Sequence, residues 1–158
     1  MARLESNLYF MNIARESAKR STCPEKSVGA VIAKDNFLIS TGFNGSITGQ
    51  PHCEDVGCIL KEGKCIRTIH AEVNAVSQAA MRGISVYGST MYVTTVPCWS
   101  CFRLIANSKI ARIVVLGEGD FSKIRDRVDV EALAIEIFSM DYEGRLKRIR
   151  LERCPENG

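Results

Sequence analysis

The chain has 158 residues, of which 46% are hydrophobic and 25% charged, and its formal net charge at pH 7 is +3. These values fit one globular domain over 1–158, long enough to bury a core without disulfides. The mild charge does not by itself indicate a nucleic-acid partner. No stretch approaches the ~20 apolar residues of a membrane span, and the N-terminal segment lacks the apolar core of a secretory signal. We therefore expect a cytoplasmic protein.

The first part of the chain predicts a helix followed by a β-hairpin. Apolar residues recur at helical spacing over 3–20. Two apolar runs, 28–33 and 37–43, flank a polar turn at 34–36 and predict two paired strands. The segment 44–67 has no clear period. A loop of this length in a compact domain needs a reason to be ordered.

Helices and strands alternate in the rest of the chain. We predict strands over 90–95, over 111–116 and in the basic segment after Gly144, and helices over 70–81, 98–107 and 129–140. The polar segment 118–128 is predicted to be a connection. The order indicates an α/β fold in which a central mixed sheet of about five strands has helices on both faces. Basic and apolar residues alternate near the end of the chain, which favours an edge strand, since basic edges guard against aggregation.

Two short motifs predict a catalytic zinc site. His70 and Glu72 begin one predicted helix, and Cys98 and Cys101 begin the next one after Pro97. A catalytic zinc takes three protein ligands and leaves one position open for water, so we predict His70, Cys98 and Cys101 as ligands. Glu72 stays free to carry protons between that water and the substrate. This combination is the pattern of zinc-dependent deaminases, whereas a lone C-x-x-C is more often a structural half-site or a redox pair.

The chain resembles the deoxycytidylate (dCMP) deaminase family of the cytidine deaminase superfamily. The matching segments are VGAVI (28–32), STGFNGS (40–46), HCEDVGC (52–58), CIRTIHAEVNAV (65–76), MYVTTVPCWSC (91–101) and IARIVV (110–115). The resemblance implies the three-layer cytidine-deaminase-like fold and a catalytic Zn²⁺. It also implies hydrolysis of dCMP to dUMP, which supplies thymidylate synthesis.

The resemblance further implies substrate contacts and partners. Asn44 matches an asparagine that holds the deoxyribose, and we expect Ala71 and Trp99 at the substrate as well, although an aromatic residue at a helix start is as often plain packing. Family members are commonly hexamers that dCTP activates and dTTP inhibits. We therefore expect a homo-oligomer, with Mg²⁺ accompanying such effectors. Phe43 stands where the family usually has tyrosine, which leaves nucleotide contact and regulation open.

Four further cysteines predict a second, closed zinc site of structural type. They are Cys23, Cys53, Cys58 and Cys65. Such a site would explain how the long segment 44–67 is ordered. His52 stays open as a replacement ligand, and free buried thiols are the alternative interpretation. Some family members have a second zinc near this insertion, and Cys23 and Cys53 resemble positions used there. Cys154 is expected to take no part.

Three alternatives share these motifs. An enzyme that acts on a base within RNA, such as a tRNA adenosine deaminase, would have the same zinc core. A catalytically silent zinc module would have no use for Glu72. The substrate could also be a modified dCMP, dCTP or a free nucleoside. Candidate phosphate ligands include six basic residues, among which the sequence does not choose: Lys26, Arg67, Arg82, Arg103, Arg125 and Arg127.

Overall fold

A computed structural model of the protein describes residues 3–151. The helices are α1 (Ser6–Ala18), α2 (Cys53–Val56), α3 (Ala71–Met81), α4 (Trp99–Asn107) and α5 (Ser122–Arg125). The strands are β1 (Gly29–Lys34), β2 (Phe37–Phe43), β3 (Gly45–Ser46), β4 (Leu60–Lys61), β5 (Lys64–Cys65), β6 (Thr68–Ile69), β7 (Thr90–Val93), β8 (Arg112–Leu116), β9 (Glu136–Met140) and β10 (Leu146–Ile149). Cys154 lies outside the described residues, so its expected lack of a role has no structural counterpart.

The central sheet has six strands in the order β10-β9-β8-β7-β1-β2. β7, β8 and β9 run parallel to one another, whereas β1, β2 and β10 pair antiparallel with their neighbours. The β1–β2 turn has positive φ at both Asp35 and Asn36, the conformation whose twist suits a two-residue hairpin. The mixed sheet confirms the predicted α/β fold class and contains one strand more than about five.

Apolar side chains are buried on both faces of the sheet, which makes the three layers. On one face Phe10 and Met11 of α1 pack with Val31 and Val114. On the other face, helices α3 and α4 supply residues such as Phe102 to a larger core with neighbouring strand residues. A central strand buried on both faces is apolar throughout rather than alternating. That explains the continuous apolar runs in β1 and β8.

The predicted helix over 129–140 is wrong. The structure has a single 3₁₀ turn, Glu131–Leu133, and then strand β9. Ala134 has φ +54°, which ends the helical turn. β9 then lies parallel to β8, with Ile137 in one core and Met140 in the other. The apolar spacing that suggested a helix serves two different faces of a strand.

Two polar segments are more ordered than their composition indicates. The segment 44–67 holds α2 and the β4–β5 hairpin, and 118–128 holds α5, whose Ile124 is buried. The basic strand β10 lies at one edge of the sheet, which confirms the prediction of a basic edge. Within residues 3–151, the helices fall short of the length and apolar character that crossing a bilayer requires.

Candidate active site

The two motifs predicted from sequence lie at the N-termini of neighbouring helices. His70 is the N-cap residue of α3, and Cys98 is the N-cap residue of α4. Both residues have extended backbone, which leaves their side chains outside the first helical turn. The Cys98 thiol accepts a hydrogen bond from the Cys101 amide at 3.5 Å. The capping geometry therefore turns both cysteines of the C-x-x-C toward the same point.

His70, Cys98 and Cys101 converge with their ligand atoms within 4.8 Å of one another. The Nδ1 atom of His70 lies 3.3 Å from Cys101 Sγ and 3.5 Å from Cys98 Sγ. Ligands around a tetrahedral zinc, with bonds of about 2.0–2.3 Å, lie about 3.5–3.8 Å apart. One imidazole and two thiols at these separations fit an ion with room for a further ligand.

The three groups differ in how readily they ionise: the interaction with Cys98 and burial raise the pKa of the Cys101 thiol, whereas the Cys98 thiol ionises easily. Hydrogen bonds from the Cys101 thiol and from His70 lower the pKa of the Cys98 thiol to about 3. Thiolate is the form that binds metals. The interaction with Cys98 raises the pKa of His70, while partial burial and the positive charge of Lys26 oppose that shift. The positive charge of Lys26 therefore acts on the imidazole and disfavours its protonated form.

Glu72 is buried beside these residues. Its side chain is 3% exposed, although it belongs to the first turn of α3. Burial raises the pKa of the carboxyl, and its interaction with the Cys101 thiol opposes the rise. A carboxyl group of raised pKa in a cavity suits proton transfer near neutral pH. The structure therefore places Glu72 where the sequence expects a proton carrier.

Strand β2 fixes the position of α3. A Cβ atom on Gly42 would overlap the carbonyl oxygen of Ala71, so only glycine permits this close approach. The Ser40 hydroxyl donates to the Ala75 carbonyl at 2.8 Å, and the Asn74 amide donates to the Phe43 carbonyl at 2.7 Å. These contacts anchor the start of α3, and with it the first motif.

A cavity of about 620 Å³ opens onto the first motif and Cys98, a volume within the usual range for small-molecule sites. His70, Glu72, Asn44 and Ala71 all line it, together with Cys98. The structure thus brings the predicted substrate residues Asn44 and Ala71 to the same cavity as the predicted metal ligands His70 and Cys98.

The substrate contact expected of Trp99 stays a prediction. Trp99 is absent from the residues that line this cavity and lines a separate groove instead. Its ring stacks on Phe102 at 6.1 Å between centroids. The guanidinium groups of Arg103 and Arg127 each lie 5.7 Å from the ring centroid. In the structure the Trp99 ring therefore packs against Phe102 and these two guanidinium groups.

The side chain of Asn44 forms hydrogen bonds with backbone groups beside the cavity. It is 5% exposed; its Oδ1 accepts from the Val28 amide at 2.8 Å and its Nδ2 donates to the Lys26 carbonyl at 2.5 Å. The amide retains one N–H for another partner. Asn44 therefore shapes the cavity wall whether or not it also contacts a ligand.

Sequence reasoning missed most of the charged residues that line the cavity. Of the six basic candidates, Lys26 is the one among the lining residues, while Lys64 and Lys123 also line the cavity without having been singled out. Three carboxylates join them from Glu25, Glu118 and Asp120. Lys64 directly precedes Cys65, a predicted zinc ligand, and this position in the sequence could have identified it as a residue near the site. The α5 segment carried no such signal.

The four cysteines predicted to form a second zinc site also come together. The Sγ atoms of Cys23, Cys53, Cys58 and Cys65 all lie within 4.8 Å of one another. Cys23 and Cys58 are 3.8 Å apart, and Cys53 and Cys65 are 3.5 Å apart, between sulfur atoms. The expected separation around a tetrahedral zinc with four thiolates is about 3.8 Å. His52 is not part of the group.

A tight hairpin returns Cys65 to the cluster. Its turn residues Glu62 and Gly63 both have positive φ, and β4 pairs with β5. Burial raises the pKa of Cys65, but hydrogen bonds from the Arg67 and Thr68 amides and from neighbouring thiols outweigh this and lower the pKa to about 6. The cluster thus includes a thiol that ionises readily, as zinc ligands do.

Comparison with known proteins agrees with this geometry. The family profile described as the cytidine and deoxycytidylate deaminase zinc-binding region matches residues 4–117. ComE operon protein 2 of Bacillus subtilis (strain 168) is 44% identical over 113 residues, which cover 72% of this chain and 60% of that protein. The matched region is therefore less than two thirds of that relative. The deoxycytidylate deaminase of Mycobacterium phage D29 is 35% identical over 126 residues, covering 72% of this chain and 96% of the relative.

A solved structure has the same fold. The dCMP deaminase of cyanophage S-TIM5, solved in complex with dCMP and dUMP, superposes with a TM-score of 0.73 and 24% identity. The superposition covers 89% of this chain and all of the other. The similarity at this level of identity concerns the fold, including the layering of the sheet between helices.

Proposed function

Because the chain belongs to the cytidine and deoxycytidylate deaminase family, we propose that it is a hydrolase that converts dCMP and water to dUMP and ammonia. The observation that carries this proposal is that buried Glu72 shares one cavity with His70 and Cys98. The names of the relatives support dCMP as the substrate, since the phage D29 relative is a deoxycytidylate deaminase.

The proposed reaction needs a proton carrier beside a site that activates water. His70, Cys98 and Cys101 would hold the catalytic Zn²⁺, which when bound supplies a Lewis acid that makes water nucleophilic near neutral pH. Glu72 takes a proton from the attacking water and delivers it to the ring nitrogen of cytosine. It then takes the remaining proton from the new C4 hydroxyl group and passes it to the exocyclic amine, which leaves as ammonia while the C4–N bond breaks and a carbonyl forms. The enclosed position of Glu72 limits exchange of these protons with solvent.

We assign the second Zn²⁺ to the four-cysteine cluster. A closed set of thiolates leaves no position for water, so this ion would be structural. It would join the segment before β1 to the 53–65 region, which has few buried apolar side chains of its own. The interaction of an ion with four thiolates would replace the core that this region lacks.

Further properties follow from the family resemblance. We propose a single deaminase domain over 1–158, a cytoplasmic location and a homo-oligomer, with a hexamer as the expected form. We also propose dCTP and dTTP as effectors, accompanied by Mg²⁺. The arrangement of cysteines as metal ligands rather than disulfides supports the cytoplasm. The resemblance alone supports the hexamer and the effectors.

A substrate panel tests the proposed reaction. The zinc-loaded protein is assayed for ammonia release from dCMP, CMP, dCTP, deoxycytidine, 5-substituted dCMP and a tRNA anticodon stem, with and without dCTP and dTTP. We expect the highest kcat/KM with dCMP. The Glu72→Gln protein, purified in parallel, controls for contaminating deaminases. Turnover of the tRNA stem in preference to dCMP would instead favour the RNA-editing alternative, and zinc binding without any turnover would favour the silent module.

A further inference from the structure

We propose that the four-cysteine cluster is a peroxide-sensitive switch, in which oxidation joins Cys23 to Cys58 and Cys53 to Cys65 as two reversible disulfides. The oxidant belongs to the class of hydroperoxides, of which hydrogen peroxide is the simplest. This inference rests on the proposed function, because it adds regulation to the cluster that would hold the structural Zn²⁺ and to the cavity beside it.

Each partly exposed cysteine of the cluster lies beside a buried one. Cys58 and Cys65 are partly exposed, whereas Cys23 and Cys53 are 4% and 2% exposed. The two sulfur atoms are 3.8 Å apart in the Cys23–Cys58 pair and 3.5 Å apart in the Cys53–Cys65 pair. A redox-sensing cysteine has this arrangement, in which an accessible thiol has a second thiol next to it that resolves its oxidised form.

The oxidation balances with peroxide as the only added reactant. The Cys58 thiolate attacks one oxygen of hydrogen peroxide, and the O–O bond breaks to give a sulfenic acid and hydroxide. The Cys23 thiolate then attacks the sulfur of that sulfenic acid, so the S–S bond forms and a second hydroxide leaves. Cys65 and Cys53 react in the same way with a second peroxide. Because zinc binds thiolate and not disulfide sulfur, the cluster thereby loses the ligands for its Zn²⁺.

The sulfur atoms need only a small movement to react. A disulfide bond is about 2.05 Å long, so the atoms of each pair must approach by less than about 2 Å. The segment that carries Cys58 and Cys65 consists of the turn after α2 and the two-residue strands β4 and β5. Its apolar side chains Ile59 and Leu60 are exposed. Few buried contacts therefore oppose the displacement.

The cluster and the candidate active site share a cavity wall. Cys23 and Cys65 line the cavity that His70 and Glu72 also line. Strand β6 lies between Cys65 and His70, and it pairs with β3 directly after Asn44. Oxidation draws Cys23 and Cys65 toward their partner sulfurs and removes the ion that would hold the two pairs together. The wall should therefore shift, and the cavity should lose part of its complementarity to the substrate.

The test treats the zinc-loaded protein with two equivalents of hydrogen peroxide per chain. A metallochromic dye measures the zinc released, and mass spectrometry of peptides from the non-reduced protein maps the disulfides. The matched variant is Cys58→His, which keeps a zinc ligand but removes one oxidisable sulfur. Cys154→Ser controls for a thiol outside the predicted ligands. Kinetics with dCMP are measured before oxidation, after it, and after reduction by dithiothreitol with added Zn²⁺.

Wild type should release one zinc ion per chain and form the Cys23–Cys58 and Cys53–Cys65 disulfides. KM for dCMP should rise by about threefold to tenfold, the effect of losing a preformed wall, and reduction with Zn²⁺ should restore it. In Cys58→His the Cys53–Cys65 disulfide should form while Cys23 stays a thiol. Cys154→Ser should match wild type in all these measurements.

The proposal is overturned if the cluster stays reduced while Cys98 and Cys101 are oxidised, or if the mapped pairs differ from the two named. An unchanged KM after both disulfides form would overturn the link to the cavity. Mapping in wild type decides the pairing even if Cys58→His does not fold. If the untreated protein releases no ammonia from dCMP, the proposed function fails, whereas zinc release and disulfide mapping still decide the switch.

Discussion

His70 Nδ1 lies 3.3 Å from Cys101 Sγ, although 31 residues separate the two in sequence. The contact forms because α3 and α4 begin close to each other, with their N-termini at the same site. Two helix N-termini that face one point also carry partial positive charge, which favours thiolate. The arrangement thus assembles a metal-binding triangle and favours the thiolate form of Cys98.

Replacement of Glu72 by glutamine tests the proton carrier. Glutamine has nearly the same shape but cannot accept a proton, so kcat for dCMP should fall by about 10²–10⁴-fold. The zinc content and the affinity for dUMP should persist, because the predicted ligands stay in place. Steady-state kinetics and metal analysis provide the measurements. Glu16→Gln, an exposed acid on α1, should behave as wild type; a Glu72→Gln enzyme with full kcat would remove Glu72 from the mechanism.

Removal of one cysteine from the second cluster tests the structural zinc. Cys58→Ala should reduce the zinc content from two ions per chain to one. The melting temperature should fall by at least about 5 °C, because the ion stabilises a region with few buried apolar groups. Atomic absorption and calorimetry check both values.

Cys154→Ser serves as the control for the loss of a thiol. Its zinc content should equal that of wild type. One zinc ion per wild-type chain, or two in Cys58→Ala, would contradict the assignment of a metal to the cluster.

Local pattern was sufficient for much of the fold. The prediction for β2 coincides with Phe37–Phe43, and the predicted helices over 70–81 and 98–107 correspond to α3 and α4 with their N-caps. Those elements have strong local signals in turn residues and caps. β9 could not be predicted in this way. Its conformation depends on pairing with β8, a contact that the spacing of apolar residues within 129–140 does not encode.

The same distinction between local pattern and long-range packing applies to the residues of the site. Residues within short motifs, such as Glu72 and Cys98, could be identified because their spacing reflects the chemistry itself. The cavity walls could not, because Lys64 and Lys123 reach the same cavity only after a hairpin and a remote helical turn have packed. The substrate contact of Trp99 stays a prediction: its sequence position between two predicted ligands suggests the site, while in the structure its ring packs with Phe102.

The substitution Gly42→Ala tests the close contact between β2 and α3. The added Cβ would overlap the Ala71 carbonyl oxygen and crowd the Ala75 amide, so α3 must shift. We expect a loss of about 1–3 kcal/mol in the free energy of unfolding and a lower kcat, since α3 carries Glu72. Denaturant unfolding and kinetics measure the two effects. Gly45→Ala is the control, because its Cβ would lie 3.3 Å from a Phe43 ring atom that can adjust; equal stability of the two variants would contradict the argument.

Substitution of Asn44 separates its two hydrogen bonds. Asn44→Ala leaves the Val28 amide without its acceptor and the Lys26 carbonyl without one donor, so the free energy of unfolding should fall by about 1–3 kcal/mol. KM for dCMP should rise more than kcat falls, because Asn44 and both of its backbone partners, Val28 and Lys26, line the cavity. Asn44→Asp keeps an acceptor for Val28 but places a carboxylate against the Lys26 carbonyl. Asn44→Asp should therefore restore more of the free energy of unfolding than of the KM for dCMP. A wild-type KM in Asn44→Asp would show that the hydrogen bond to the Lys26 carbonyl does not help to position the substrate.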